Sequence, residues 1–296
     1  MESGYEEICR AAMADPGGRG LSSHADGLPP LKALAESLAG AKGAMLISGF
    51  PVRTAKGVVG ETDGPSGIAW LAGALTRLGV PVRVYTGPYC QPQIKAALAL
   101  AAPRASLCLL PHRGGAGYAR REWEDFAPTH LIALERPGKG ADGICRNAKG
   151  EPIDEWVADA EPLFEAAKAQ GAVTVAVGDG GNELGMGGLR PLIERYVEKG
   201  GLICARQQAD YTLMGGVSNW WGWGLCGALS LTAGRDLLPT PGQEEALLDA
   251  VLSSGGADGA TARFEPTVDA MPLQDHLRVL GQMRRAVEEA LNACPV

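Results

Sequence analysis

A run of glycines directly after a predicted strand constrains the fold of this chain more than any other feature. Residues 173–177 are small or β-branched, which is typical of a strand buried in a sheet. Six of the eleven residues from Gly178 to Gly188 are glycine, which argues against a regular helix or strand and predicts positive φ angles. A helical pattern resumes at Leu189, with Pro191 in its first turn. A strand, a glycine loop and a helix start in this order can present backbone N–H groups to an anion.

Three polar side chains interrupt the glycines of this loop: Asp179, Asn182 and Glu183. A loop that bound only phosphate would gain nothing from two carboxylates, because like charges repel each other. The loop therefore predicts a ligand that carries both charges, or a metal ion as well. The simpler alternative is a tight turn without a ligand, in which Asp179 and Asn182 only cap backbone groups.

Strand and helix patterns alternate along the chain. Most of the predicted strands are short, unbroken apolar runs, which indicates a parallel sheet covered by helices on both faces. We therefore expect a doubly wound α/β fold with a mainly parallel sheet of about six strands. The predicted strands are 44–48, 82–86, 106–110, 130–134, 173–177 and 211–214; residues 49–64 are predicted to form a long loop and residues 154–170 a single helix.

The first thirty residues differ from the rest of the chain. Residues 1–30 are polar and contain Asp15-Pro-Gly-Gly and Leu28-Pro-Pro, so we expect a flexible N-terminal arm with at most one short helix. Residues 31–296 show no break in composition and no internal repeat, which predicts a single α/β domain. The whole chain has 296 residues and is 46% hydrophobic, which is enough to build a complete core.

Charge and cysteine usage narrow the class of protein. The net charge is -7 and no basic block occurs, which argues against nucleic acid or an anionic membrane as a partner. No apolar run reaches 18 residues, and the acidic start from Met1 to Arg10 lacks the apolar segment of a signal peptide. The seven cysteines are scattered without a CxxC pair, which predicts a reducing compartment and neither disulfides nor a zinc site. We expect a cytoplasmic protein that acts on a small molecule and that can form a homo-oligomer.

Charged or polar loops follow several of the predicted strands. Ligands of parallel sheets bind beyond the carboxyl ends of the strands, so these loops are expected to meet at one cleft. Arg53 and Lys56 offer clamps for a carboxylate or phosphate, while Glu61 and Asp63 could hold a cation or an ammonium group. Alternatively, these four side chains bind no ligand and only cap a helix or lie charged at the surface. The four loops are 49–64, 135–147, 178–188 and 215–219.

Two further segments offer candidate contacts. Glu135 and Arg136 stand where the fourth strand leaves the sheet and are candidates to contact a ligand. Alternatively, they form only a local ion pair, which contributes under about 1 kcal/mol to stability if it is exposed. Asn219 precedes a predicted helix and either caps it or contacts a ligand. Trp221 and Trp223 are expected in the core.

The carboxylates suggest a cofactor as well as a substrate. They are hard oxygen ligands, and no His and Cys set has zinc spacing, so Mg²⁺ or Mn²⁺ is the expected metal, with Asp63, Asp179 and Glu183 as ligands. The same carboxylates could instead hold the ammonium group of a substrate. The glycine loop is neither a Walker A loop nor a GxGxxG fingerprint, so no nucleotide or organic cofactor is expected.

The glycine loop resembles the GDGGNEIGMG signature of the D-glutamate cyclase family, because residues 178–187 read Gly-Asp-Gly-Gly-Asn-Glu-Leu-Gly-Met-Gly. The resemblance extends over roughly residues 40–235. The chain departs from the family at Cys145, where the family carries an aromatic residue. Further blocks of the family resemble residues 61–67, 135–138, 142–143 and 218–220, in the same order.

The resemblance implies a hydro-lyase that removes water from D-glutamate and forms 5-oxo-D-proline. The backbone N–H groups of residues 180–182 would then face the reacting γ-carbon, and Arg53 or Lys56 would anchor the α-carboxylate. Two other classes stay open: a metal-assisted enzyme for another amino or sugar acid, and a non-catalytic α/β protein that binds a small molecule. The candidates for catalysis are Asp179, Glu183, Asn182, Glu61 and Asp63, and those for substrate binding are Arg53, Lys56, Gly180, Gly181, Glu135, Arg136 and Asn219.

Overall fold

The structure, a computed structural model, describes residues 2–18, 21–112 and 115–293. Cys294 and parts of the predicted N-terminal arm (Met1, Arg19 and Gly20) lie outside these ranges. The strands are β1 (Ala44–Ser48), β2 (Pro51–Thr54), β3 (Gly57–Gly60), β4 (Val82–Thr86), β5 (Ser106–Leu109), β6 (His130–Leu134), β7 (Val173–Gly178), β8 (Tyr211–Met214), β9 (Thr267–Val268) and β10 (Met271–Pro272). The α-helices are α1 (Glu2–Ala12), α2 (Leu31–Ala39), α3 (Pro65–Arg77), α4 (Gln91–Ala101), α5 (Gly115–Phe126), α6 (Glu161–Ala169), α7 (Arg190–Tyr196), α8 (Gly200–Ile203), α9 (Ser218–Ala233), α10 (Pro241–Ser253) and α11 (Leu273–Asn292).

Six parallel strands form the central sheet in the order β5-β4-β1-β6-β7-β8. The order runs outward in opposite directions from β1 and β6, which is the arrangement of a doubly wound fold. The predicted fold class is therefore confirmed. The topological switch point lies between β1 and β6, where Ser48 pairs with Leu134. The residues that follow, Gly49 and Glu135, stay in contact, because the Gly49 N–H donates to the Glu135 carbonyl oxygen at 3.0 Å.

Helices cover both faces of the sheet, as unbroken apolar strands predict. Alternate residues of β1 point to opposite layers: Leu46 belongs to the larger core with α3 and α9, while Met45 and Ile47 pack in the core of α5 and α6. All three residues are fully buried. The sheet is thus held from both sides, which fixes the loops at its carboxyl edge.

The helix α9 lies at the centre of the larger core. Its Trp221 and Trp223 are at most 1% exposed, as predicted for core residues. It crosses α3 at two glycines, where a Cβ atom added to Gly222 would lie 2.2 Å from the Gly67 Cα. This close approach brings the N-termini of α3 and α9 together behind the switch point.

Two stretches differ from the sequence prediction. Residues 154–170 do not form one helix: α6 begins at Glu161, and turns occupy the residues before it. Pro162 explains the difference, because proline suits the first turn of a helix and disfavours helical backbone before it. Within the predicted loop 49–64, β2 and β3 pair as an antiparallel hairpin.

The first helix of the predicted arm packs on the domain. In α1, Ile8 and Cys9 are buried in the larger core with α9 and α11. The Tyr5 hydroxyl also lies 3.0 Å from the Thr232 hydroxyl of α9. Residues 2–12 therefore differ from the flexible segment that the sequence suggests, while the domain division at residue 30 stays a prediction.

The six cysteines within the described ranges are free thiols. No helix in those ranges is long and apolar enough to cross a bilayer.

A buried carboxyl group between α10 and α3 should make stability depend on pH. Glu244 accepts hydrogen bonds from Ser66 Oγ and Trp70 Nε1, both at 2.7 Å, while burial raises its pKa to about 7. Because the folded protein binds this proton more tightly than the unfolded chain, stability is complete below about pH 4.5 and falls as the pH rises through about 7. Glu244→Gln keeps an acceptor without a charge, so it should remove this loss of about 3 kcal/mol.

The measurement is chemical denaturation from pH 5 to pH 8. Glu245→Gln is the matched control, because Glu245 is the exposed neighbour in the same helix. Wild type and control should lose stability with rising pH, and Glu244→Gln should lose less. Parallel profiles for all three proteins would contradict the assignment.

Candidate active site

A cavity of about 520 Å³ opens beside the switch point. Its walls include residues from the loops after β1, β6 and β7, three of the four loops predicted to meet. No residue of the fourth loop, 215–219, lines the cavity. That loop lies behind the site, where the Ser218 hydroxyl donates to Glu135 Oε2 at 2.6 Å. Residues between 147 and 156, residues 197 and 198, and a segment that the sequence does not single out, residues 259–269, supply further parts of the wall.

Buried carboxyl groups form the floor of the cavity. Glu61, Glu135 and Asp179 line it and are 7%, 5% and 3% exposed. Such groups are costly to bury in charged form, so a proton, a cation or hydrogen bonds must compensate them. The floor therefore concentrates acid–base capacity at the point where the loops converge.

Glu135 occupies the centre of this cluster. Burial, followed by the negative charges of Asp179, Glu183, Glu61 and Asp63, raises the pKa of Glu135 well above its usual value. Its φ angle is 45°, a left-handed conformation that few residues other than glycine adopt. Glu135 is thus a carboxyl group that binds a proton more readily than an exposed glutamate, on a backbone turn directly after β6.

Asp63 is held at the start of α9. Its carboxylate accepts the N–H groups of Gly64 at 2.9 Å, Ser218 at 2.8 Å and Asn219 at 2.8 Å. Two of these donors open a 16-residue helix, whose N-terminal dipole favours an anion. Asp63 does not line the cavity itself, but it lies directly behind the floor, 1% exposed.

Asn219 bridges the two helix starts. Its Oδ1 accepts the N–H groups of Gly64 at 3.0 Å and Gly67 at 2.7 Å, and its Nδ2 donates to the Thr62 carbonyl at 3.1 Å. The side chain therefore caps α3 and not the helix in which it stands. It does not line the cavity, so it supports the site from behind.

The glycine loop binds its own glutamate. The Glu183 carboxylate accepts the N–H groups of Asp179 at 3.3 Å, Gly180 at 2.9 Å and Gly181 at 2.7 Å. The expectation that the N–H groups of Gly180 and Gly181 face the reacting carbon is therefore wrong, because an internal carboxylate already occupies them. Gly181 has a φ angle of 87°, and an added Cβ would lie 2.7 Å from Ile193. Glycine is required there, but to shape the loop.

Asn182 and Arg136 take different positions. Asn182 lines the cavity, and its Nδ2 donates to the Arg146 carbonyl at 2.8 Å. Arg136 is 1% exposed and does not line the cavity. Its guanidinium donates to the carbonyl oxygens of Gly49 and Ala158, and burial lowers its pKa. Arg136 thus fastens the loop after β1 to the segment before α6.

The two predicted anchors lie at the rim or outside it. Arg53 lines the exposed mouth, pairs with Glu155 at 3.4 Å and stacks 4.6 Å from the Trp156 ring centroid. Lys56 does not line the cavity and lies 4.6 Å from the ring centroid of Phe264. The structure therefore brings Arg53 to the cavity and leaves Lys56 at the tip of the β2–β3 hairpin.

Three buried carboxylates could hold a metal ion. Asp63, Glu135 and Asp179 offer oxygen atoms that all lie within 4.8 Å of one another. Hard oxygen donors of this kind suit Mg²⁺ or Mn²⁺. Two of the three predicted ligands, Asp63 and Asp179, are in this group, but Glu183 is not.

Sequence reasoning missed the wall formed by residues 259–269. Asp258 shapes this segment by accepting the N–H groups of Ala260, Thr261 and Ala270 at 2.8–2.9 Å. A Cβ added to Gly259 would lie 2.0 Å from Glu61 Oε2, so the bare backbone covers that carboxylate. The available signal was the Gly255-Gly-Ala-Asp-Gly sequence, a second cluster of glycine and aspartate.

Comparison with known proteins identifies the family to which this chain belongs. A family model described as "D-glutamate cyclase-like, C-terminal" matches residues 8–284. The human protein "D-glutamate cyclase, mitochondrial" is 33% identical over 227 residues, which cover 73% of this chain and 37% of that protein. The aligned part thus spans little more than a third of the length of this relative. The chain belongs to the D-glutamate cyclase-like family, as its glycine loop predicts.

Proposed function

We propose that this protein is a D-glutamate cyclase, a hydro-lyase that converts D-glutamate into 5-oxo-D-proline and water. Family membership supports the reaction type. The observation that carries the proposal is the set of buried carboxyl groups Glu61, Glu135 and Asp179 at the floor of one cavity. A floor of this kind attracts the substrate ammonium group and can exchange protons with it.

The reaction is a transfer of two protons within the substrate. The α-nitrogen forms a bond to the γ-carbon, and one γ-oxygen leaves as water. The ammonium group starts with three protons and the lactam nitrogen keeps one, so two protons pass to the departing oxygen. The site therefore needs a base near the nitrogen and an acid near the γ-oxygen.

Two neighbouring carboxyl groups can fill these roles. Asp179 accepts a proton from the ammonium group and makes the nitrogen nucleophilic. Glu135, whose pKa is raised by burial and then by the surrounding negative charges, donates one proton to the γ-oxygen that leaves and recovers one from the α-nitrogen. Asp179 passes its proton to the same oxygen, which then leaves as water. Glu61, on the same floor, helps to hold the ammonium group. Folding the flexible substrate so that its two ends meet lowers the barrier further, because well-placed intramolecular groups react faster.

The direct test is incubation of the purified protein with D-glutamate. We expect 5-oxo-D-proline to accumulate, and chromatography on a chiral column separates it from its enantiomer. A panel of other amino and sugar acids tests the metal-assisted alternative. Binding of D-glutamate without any product would favour the non-catalytic alternative.

A divalent cation at Asp63, Glu135 and Asp179 is a second way for the same site to act, in which Glu135 and Asp179 are charged ligands and not the proton donor and acceptor. Mg²⁺ or Mn²⁺ there would polarise the γ-carboxyl group. After chelation, Mn²⁺ should bind stoichiometrically by electron paramagnetic resonance, and Asp179→Asn should weaken this binding at least about tenfold. Activity should fall after EDTA treatment and return with either ion. Full activity of a metal-free protein, together with no Mn²⁺ signal, would rule out the cation.

Arg53 is the proposed anchor for the α-carboxylate, which remains unchanged in the product. Arg53→Ala should raise KM for D-glutamate about tenfold and weaken inhibition by 5-oxo-D-proline equally, with little change in kcat. Lys56→Ala is the matched control from the same hairpin and should change neither value. If KM and the inhibition by 5-oxo-D-proline were unchanged in Arg53→Ala, Arg53 would not be the anchor. Lys149, the other basic residue that lines the cavity, would then be the candidate.

Location and assembly complete the proposal. We propose a cytoplasmic location, as the sequence predicts. The word "mitochondrial" in the name of the human relative applies to that protein. A homo-oligomer also stays a prediction, which light scattering during size-exclusion chromatography would test.

A further inference from the structure

The cavity is larger than free glutamate requires. The ten non-hydrogen atoms of glutamate need at most about 300 Å³, at the roughly 30 Å³ that one water molecule takes up in the liquid. The cavity measures about 520 Å³. A substrate with additional atoms therefore fits the same site.

The charge of the cavity also disfavours a second free carboxylate. Seven of the residues that line it are acidic, and two, Arg53 and Lys149, are basic. Whether Glu135 is neutral or is charged beside a divalent cation, at least three negative charges remain in excess. One substrate carboxylate can pair with a basic residue at the rim, but a second one meets repulsion inside. A neutral γ-carbonyl group avoids this repulsion.

The walls above the floor offer apolar contacts that glutamate cannot use. Phe50 and Ile153 are buried there, and Trp156, Val52 and Val197 are half-buried. Free glutamate has only two methylene groups to place against them. A substituent that extends beyond the γ-carbon would cover this surface and gain from the burial of apolar area.

From these three features we infer that the site also cyclises γ-amides of D-glutamate, in which an amine replaces the γ-hydroxyl. This inference rests on the proposed cyclase function and names a wider substrate class. The α-nitrogen forms a bond to the γ-carbon, the bond from the γ-carbon to the amide nitrogen breaks, and two protons pass from the α-nitrogen to the departing amine. The products are 5-oxo-D-proline and an alkylammonium ion, or a neutral arylamine whose second proton passes to the solvent, and no water is consumed.

The experiment compares D-glutamate with γ-D-glutamyl-4-nitroanilide and γ-D-glutamyl-benzylamide, whose γ-substituents carry no charge, at equal concentrations. Chiral chromatography quantifies 5-oxo-D-proline, and absorbance follows the released nitroaniline. Each substrate is also incubated without protein, because γ-amides cyclise slowly on their own. Removing one negative charge should raise kcat/KM for the amides at least about tenfold over D-glutamate. Glu135→Gln should lose both activities, which shows that one site performs both reactions.

The outcomes separate this inference from the function on which it rests. Turnover of D-glutamate with slower or no turnover of both amides would overturn the inference and leave the cyclase function intact. Release of amine with D-glutamate as the product would also overturn it, because water would then be the nucleophile. Turnover of the amides without turnover of D-glutamate would support the inference and show that γ-amides, and not free D-glutamate, are the substrates of this site. No turnover of any of the three would contradict both.

Discussion

Replacing Glu135 by glutamine should lower kcat for D-glutamate by about 10²–10⁴-fold, the usual contribution of a positioned general acid or base. Glutamine has nearly the shape of a protonated glutamate and can still accept the Ser218 hydroxyl. It cannot release a proton to the departing oxygen. The loss should therefore appear in kcat, while KM for D-glutamate stays within about threefold.

The control for this variant is its stability. Wild-type Glu135 is buried among four other acidic side chains, and an amide at this position cannot ionise, so the variant adds no charge that is costly to bury. The variant should unfold at the same temperature as wild type or at a higher one. An active Glu135→Gln protein would exclude Glu135 as the proton donor, and an unfolded one would show that the carboxyl group is needed for the fold.

Replacing Glu183 by alanine should have the largest effect on stability. The variant leaves the N–H groups of Asp179, Gly180 and Gly181 without their acceptor inside the protein. Each such loss costs about 1–3 kcal/mol, so the variant should lose at least about 3 kcal/mol of unfolding free energy. Chemical denaturation measures this loss directly. Activity should disappear too, because Asp179 belongs to the same loop.

Glu198→Ala is the matched control for this change. Glu198 also lines the cavity, but it is exposed at the mouth. Its loss should leave stability within about 0.5 kcal/mol of wild type, as for most surface substitutions. If Glu183→Ala were as stable as this control and only its turnover fell, Glu183 would act on the substrate and not on the loop.

The sequence predicts the fold well because its signals are local. Apolar runs of five residues and the glycine loop identify the strands and the carboxyl edge of the sheet. The same patterns do not reveal the β2–β3 hairpin or the start of α6. Pro162 could have indicated the second of these, because a proline marks the first turn of a helix.

The site is predicted less completely, because its chemistry depends on tertiary contacts. The sequence shows that Glu183 lies four residues after Asp179, but only the φ angles of the loop decide that its carboxylate turns inward. Likewise, Glu135 joins the carboxylate cluster because the switch point places β6 beside β1. Asp269 and its neighbours reach the cavity from more than eighty residues after the glycine loop, so no motif spacing connects them.

Isotopic labelling tests the central claim most directly. The purified protein is incubated with D-glutamate that carries ¹⁵N at the α-position and ¹⁸O in both γ-oxygens, and the product is examined by mass spectrometry. Attack of the amine on the γ-carbon predicts 5-oxo-D-proline with the ¹⁵N label and one ¹⁸O atom, formed by wild type and not by Glu135→Gln or Asp179→Asn. Product that forms no faster with wild type than with these variants would contradict the account.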